Sequence, residues 1–162
     1  MDTPPATHRE IPSAAPPLTI ILVEDEPVDV YLIRWVLDAH DLPYELQVID
    51  NGDRAAEVVD QLAVQEQRRA PTMILLDLHL PQRDGKELLR QIKAIPHGAD
   101  LPVVVVTGDA NPRERAAALA LGADGFFVKP FHLTPYMELG EIIKTLALGL
   151  APERPPDAIE PA

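Results

Sequence analysis

The sequence predicts an α/β fold: a doubly wound, five-stranded parallel sheet with helices on both faces. Three observations lead there. Short apolar runs alternate with longer stretches of helical spacing five times in succession, which makes five βα units, and right-handed crossovers then place helices on both sides of the sheet. Hydrophobic residues form 46% of the chain but aromatics only 4%. The core must therefore be aliphatic, as suits parallel strands covered by helices. Finally, 162 residues hold one α/β domain of ordinary size and not two comfortable ones.

The elements follow in order. Leu18 to Val23 is an apolar run bounded by acids, a first strand. Val28 to His40 has helical spacing, with Val28, Leu32, Trp35 and Val36 on one side. Leu46 to Ile49 is a weaker second strand; Asn51-Gly52-Asp53 turns the chain and caps a helix from Arg54 to Arg69, which Pro71 ends. Thr72 to Leu78 is the third strand. After the Pro81 to Gly85 loop a helix carries Leu88, Leu89 and Ile92 inward, and Pro96 and Gly98 stop it. Leu101 to Thr107 is almost continuously apolar and β-branched, a central strand buried on both faces. Asn111 as N-cap, Pro112 at the first helical position and Gly122 at the end frame the next helix. Asp124 to Val128 is the fifth strand, and Thr134 caps a last helix reaching Leu148.

Both ends are proline-rich, so residues 1–17 and 151–162 are expected to be extended tails around a folded unit of residues 18–150. The 26 acidic residues against 14 basic ones give a net charge of −12, which argues against nucleic-acid or anionic-membrane partners. There is no cysteine, hence no disulfide or thiolate metal site. The start of the chain lacks signal-peptide organisation, and no apolar run reaches the roughly 20 residues that cross a bilayer. A soluble, cytoplasmic protein is expected.

Ligands of open parallel sheets bind beyond the carboxyl ends of the strands, and the reactive residues of this sequence collect there. Glu24-Asp25-Glu26 follows the first strand, Asp77 lies near the end of the third, Thr107 ends the fourth and Lys129-Pro130 the fifth. Carboxylates brought within about 4 to 6 Å repel by several kcal/mol and need a cation or a raised pKa. A hard divalent ion such as Mg²⁺ resolves the conflict and also binds phosphate oxygens. Asp77 as nucleophile, Lys129 as a point charge and Thr107 as a hydroxyl donor then suffice for phosphoryl transfer.

Leu22 to Pro27 (LVEDEP), Ile74 to Pro81 (ILLDLHLP) with Asp84-Gly85, Val105 to Gly108 (VVTG) and Phe127 to Phe131 (FVKPF), in that order, resemble the receiver domain of two-component response regulators. The resemblance covers residues 18–150 and implies the flavodoxin-like receiver fold. It further implies that Asp77 takes a phosphoryl group from a sensor histidine kinase or a small phosphodonor. Asp25 would ligate Mg²⁺ directly, Glu24 directly or through water, and Asp77 and the backbone carbonyl of His79 would complete the ligands. Thr107 and Lys129 would hold the phosphoryl oxygens, the Lys129–Pro130 peptide would be cis, and Phe126 would be the aromatic that turns inward on activation. Strand alternation puts Phe127 on the opposite face. The His79 side chain is assigned to the pocket rim and Glu26 to helix capping and loop charge. A phosphohydrolase of the haloacid dehalogenase class also uses an Asp nucleophile, but carries a second Asp two residues later, where this chain has His79.

No effector domain fits after Leu148, so the expectation is a single-domain regulator: a phosphoacceptor switch that catalyses its own phosphorylation and dephosphorylation rather than a metabolic enzyme. It would change protein–protein interactions in a phosphorelay, through a downstream target or a phosphotransfer protein. The helix with Gln61, Gln65, Glu66 and Gln67, the Ile95 to Gly98 turn and the extended ends resemble the small regulators that partner phytochrome kinases. That resemblance implies a homodimer through the face made by the fourth strand, last helix and fifth strand. Leu139, Ile142, Ile143 and Leu146 are more apolar than one buried helix face requires, although core packing alone could use most of them.

Overall fold

A computed structural model of the chain describes residues 16–65 and 70–150. The expected proline-rich tails therefore lie almost wholly outside the described residues, as does the stretch 66–69 assigned to the second helix. The order is β1 (Leu18–Val23), α1 (Pro27–Ala39), β2 (Tyr44–Ile49), α2 (Gly52–Ala63), β3 (Thr72–Leu76), α3 (Gly85–Ala94), β4 (Val103–Thr107), α4 (Pro112–Ala120), β5 (Gly125–Val128) and α5 (Met137–Leu150). Single 3₁₀ turns at Gly98–Asp100 and Thr134–Tyr136 precede β4 and α5. All strand pairs are parallel, in the order β2-β1-β3-β4-β5. The chain first winds outward to β2 and then returns past β1, so the winding reverses between β1 and β3.

Strand alternation divides the core into two layers. Ile21, Val23, Ile74, Leu76, Val103, Val105 and Phe126 face α2, α3 and α4, where Val59, Leu88, Leu89 and Ile92 meet them. Ile20, Leu22, Met73, Leu75, Val104, Val106 and Phe127 face α1 and α5, against Ile33, Val36, Leu37, Leu139 and Ile143. The opposite orientation of Phe126 and Phe127 follows from the two-residue period of a strand.

Side-chain caps open three helices, at Asn51 and Asn111 as the sequence implies and also at Asp84. The Asn51 side chain accepts from the N–H groups of Asp53 and Arg54, Asp84 from that of Lys86 and Asn111 from that of Arg113. Gly122 has φ +103°, a conformation few other residues tolerate. It lets the Gly122 and Ala123 N–H groups reach back to Leu119 and Ala118 and close α4.

Several expectations need correction. The buried face of α1 is Ile33, Val36 and Leu37, whereas Val28 and Trp35 are exposed. The helix is apolar on more than one arc, and two arcs offset by one residue, about 100°, satisfy the same spacing. Contact with β1 and α5 selects one of them. α2 starts at Gly52, directly after its cap, and ends at Ala63, so Gln65 lies beyond it. Thr134 forms no side-chain cap; it opens the 3₁₀ turn before α5. Glu26 occupies the N-cap position of α1, but its side chain caps nothing. β4 lies between β3 and β5 with every residue buried, so it offers no surface for a dimer. Among the described residues no helix is long and apolar enough to cross a membrane.

Candidate functional site: an acidic pocket at the winding reversal

The site is built by register. Val23 pairs with Leu76, and the Asp77 N–H donates to the Val23 carbonyl at 3.0 Å. Glu24 and Asp77 are thus the first residues past two neighbouring, hydrogen-bonded strand ends. On the other side Leu76 pairs with Val105, so Thr107 ends β4 one step farther along, and the Lys129 N–H donates to the Thr107 carbonyl at 2.7 Å. Glu24, Asp77 and Thr107 are all buried, while Asp25 is exposed at the mouth.

One ammonium organises these acids. Lys129 Nζ donates to Glu24 Oε2 at 2.7 Å, to Asp29 Oδ2 at 2.7 Å and to Asp77 Oδ2 at 3.0 Å. A lysine has three N–H donors, and each is directed to a different carboxylate. The second oxygens are held by the main chain: Asp77 Oδ1 accepts from the His79 N–H at 2.9 Å and Glu24 Oε1 from the Glu26 N–H at 3.0 Å. Carboxylate oxygens of Glu24, Asp25 and Asp77 lie within 4.8 Å of one another.

The electrostatics follow from crowding in a partly dry site. Burial pushes the Glu24 carboxyl up to about 7 from an ordinary 4.5; the Lys129 hydrogen bond and charge and the Glu26 N–H pull it down without cancelling that, and Asp77 adds repulsion. Burial also works against the Lys129 ammonium, but its hydrogen bonds to Asp29 and Glu24 and the charges of Asp77 and Glu24 outweigh it, holding its pKa above the usual lysine value. Three buried or half-buried acids around one cation leave an excess of negative charge, and an all-oxygen donor set of this kind suits a hard divalent ion.

The structure therefore gathers Glu24, Asp25, Asp77 and Lys129 into one pocket. Thr107 sits beside it on β4, its Oγ1 accepting from the Asp109 N–H at 3.2 Å. The His79 imidazole is at the rim, Nε2 facing Asp109 Oδ2 at 3.9 Å. Phe126 is buried, with the Arg115 guanidinium 5.7 Å from its ring centre. The Lys129–Pro130 peptide expected to be cis is trans, like every other described peptide bond. Trans is the ordinary preference by about 0.5–1 kcal/mol, and in it Lys129 already reaches all three acids.

Sequence patterning missed two residues. Asp29, in the first turn of α1, reads as an ordinary acid at a helix N-terminus, yet it holds Lys129. Tyr136, which ends the 3₁₀ turn before α5, directs its hydroxyl to Asp29 Oδ1 at 3.4 Å. Burial and the Asp29 charge raise the Tyr136 pKa to about 12. Asp29 lies four residues after Asp25, one helical turn on, and that spacing was the available signal.

Comparison with known proteins agrees with this geometry. Residues 20–139 match the response regulator receiver domain model. The response regulator Rcp1 of Synechocystis sp. is 33% identical over 133 residues, covering 82% of this chain and 90% of Rcp1. The phosphate regulon transcriptional regulatory protein PhoB of Rhizobium meliloti is 35% identical over 134 residues, but there the chain spans only 54% of the relative. Among solved structures, the phosphorylated cyanobacterial phytochrome response regulator RcpA aligns with TM-score 0.70 at 30% identity, covering 85% of this chain and 98% of RcpA. The Mn²⁺-bound form of Rcp1 aligns with TM-score 0.68 at 32% identity, covering 82% and 95%. The strand order, the acids at the winding reversal and the order of the motifs thus have a common origin: this chain belongs to the response regulator receiver family of two-component signalling.

Proposed function

We propose that Asp77 is the phosphoryl acceptor of a Mg²⁺-dependent switch. The observation that carries this reading is the convergence on Asp77: a carboxylate past the end of β3, with its Oδ2 3.0 Å from Lys129 Nζ and its oxygens within 4.8 Å of those of Glu24 and Asp25. In the reaction an Asp77 oxygen attacks the phosphorus of the donor. The new O–P bond forms as the bond to the leaving group breaks, and that group departs with its electron pair. Glu24, Asp25, Asp77 and the His79 main-chain carbonyl would hold Mg²⁺, which when bound neutralises charge on the transferring oxygens. The Mn²⁺ held by Rcp1 supports this assignment.

Lys129 follows the charge from the carboxylate to a phosphoryl oxygen, and the Thr107 hydroxyl leaves Asp109 to donate to another. Movement of Thr107 frees space that Phe126 fills, carrying the change to the surface at α4 and β5 by packing alone. The same pocket supports loss of the phosphoryl group to water, so the chain catalyses its own phosphorylation and dephosphorylation. The donor is a sensor histidine kinase. The likeness to RcpA favours a phytochrome kinase, and the output is a downstream protein target or phosphotransfer protein. A homodimer through β5 and α5 is supported by the partly exposed Ile142 and Leu146 and the exposed Leu148 of α5.

Incubation with acetyl phosphate and Mg²⁺ tests the reading. One base-labile phosphoryl group should appear by intact mass, and it should be absent when EDTA replaces Mg²⁺. A wild-type protein that gains nothing contradicts it.

A further inference from the structure

The Lys129 ammonium uses its three donors on Glu24, Asp29 and Asp77, but only two of those acids belong to the cluster suited to a divalent ion. Glu24 and Asp77 share that cluster with Asp25; Asp29 stands outside it. When a cation occupies the cluster, Glu24 and Asp77 acquire a second positive partner, and their hold on Lys129 weakens. Asp29 has no such competitor. Its Oδ2 is on Lys129 at 2.7 Å, while its Oδ1 faces the hydroxyl of Tyr136, which is buried against Phe127 with ring centres 5.7 Å apart. The carboxylate is thus held firmly by Lys129 at one oxygen and met by the Tyr136 hydroxyl at the other, its side chain only 20% exposed.

We propose that Asp29 is a positioning residue, the standing counter-ion that keeps the Lys129 ammonium over the phosphoacceptor while the other two acids turn to the metal. The inference rests on the phosphoacceptor reading of Asp77. Lysine has a flexible four-carbon stem with substantial rotamer freedom. Without Asp29, the metal-loaded pocket would have to collect that side chain anew for each transfer. Charge-assisted hydrogen bonds of this kind are short and strong. The Tyr136 hydroxyl on Asp29 joins the first turn of α1 to the 3₁₀ turn before α5.

The test compares the full chain with Asp29→Asn, which keeps shape and loses charge, and with Tyr136→Phe, which keeps Asp29 and loses its hydroxyl partner. Three quantities are read: Mg²⁺ affinity, the rate of phosphorylation by acetyl phosphate, and the protected Lys129 ammonium resonance in ¹⁵N-labelled protein saturated with Mg²⁺. Asp29→Asn is expected to leave Mg²⁺ affinity within about twofold, slow phosphorylation about tenfold and abolish the ammonium resonance. Tyr136→Phe should retain the resonance and give an intermediate rate. A wild-type rate with the resonance intact in Asp29→Asn overturns the proposal. So does a large loss of Mg²⁺ affinity, which would place Asp29 among the metal ligands. If the wild-type chain accepts no phosphoryl group, the reading of Asp77 fails, and the ammonium resonance still decides the Asp29 contact.

Discussion

Glu24 shows how a side chain can be held in an unfavourable state for use. It is 1% exposed and shares the Lys129 ammonium with two other acids. Its pKa is about 7 in the folded protein against 4.5 when unfolded. Below 4.5 both states are protonated and nothing is lost. Between 4.5 and 7 the unfolded chain releases a proton that the folded one retains, so stability falls as pH rises and levels off above 7. The full shift corresponds to an order of 3 kcal/mol. Urea unfolding of metal-free protein should therefore show a loss of stability from pH 5 to pH 8 that is markedly smaller in Glu24→Gln, and an equal loss in both would assign it to other groups. Glu24 and its partners Asp77 and Lys129 were legible because each follows an apolar strand. Asp29 was not, because its role depends on where a lysine 100 residues away extends its side chain.

The loop after β3 holds the acceptor strand end by close approach. Gly85 begins α3 against Leu78, and a Cβ there would overlap the Leu78 backbone and lie 2.8 Å from the Asp77 carbonyl oxygen. Gly85→Ala should cost about 1–3 kcal/mol by denaturant titration and also weaken Mg²⁺ binding, since the backbone that must give way carries Asp77. A variant with wild-type stability and affinity would show that the loop yields freely. Caps at Asn51 and Asn111 were readable because their chemistry is local. The inward arc of α1 and the real start of α5 were not. Both depend on packing between α1 and α5, seen in Ile33, Val36 and Leu37 meeting Leu139 and Ile143, and no local pattern encodes which arc meets a neighbour. The trans Lys129–Pro130 bond corrects an expectation carried by resemblance alone.

At the scale of the molecule, five βα units and one reversal of winding put every proposed reactive side chain at one end of the sheet. The strand order could be anticipated only as a class, since register and neighbours depend on contacts far apart in sequence. The edge strand β5 and helix α5 leave Ile142, Leu146 and Leu148 incompletely covered. Light scattering at micromolar protein should give the mass of a dimer, and charged substitutions at Ile142 and Leu146 should give a monomer. A monomeric wild type, with and without a phosphoryl mimic, would remove the dimer. The central claim is that this architecture makes Asp77 a phosphoryl acceptor. Borohydride reduction after treatment with acetyl phosphate and Mg²⁺, followed by peptide mapping, tests it most directly, because reduction converts an aspartyl phosphate to homoserine. The account predicts homoserine at position 77 and none in protein treated without Mg²⁺. Homoserine at any other position, or an adduct that persists in Asp77→Asn, would contradict it.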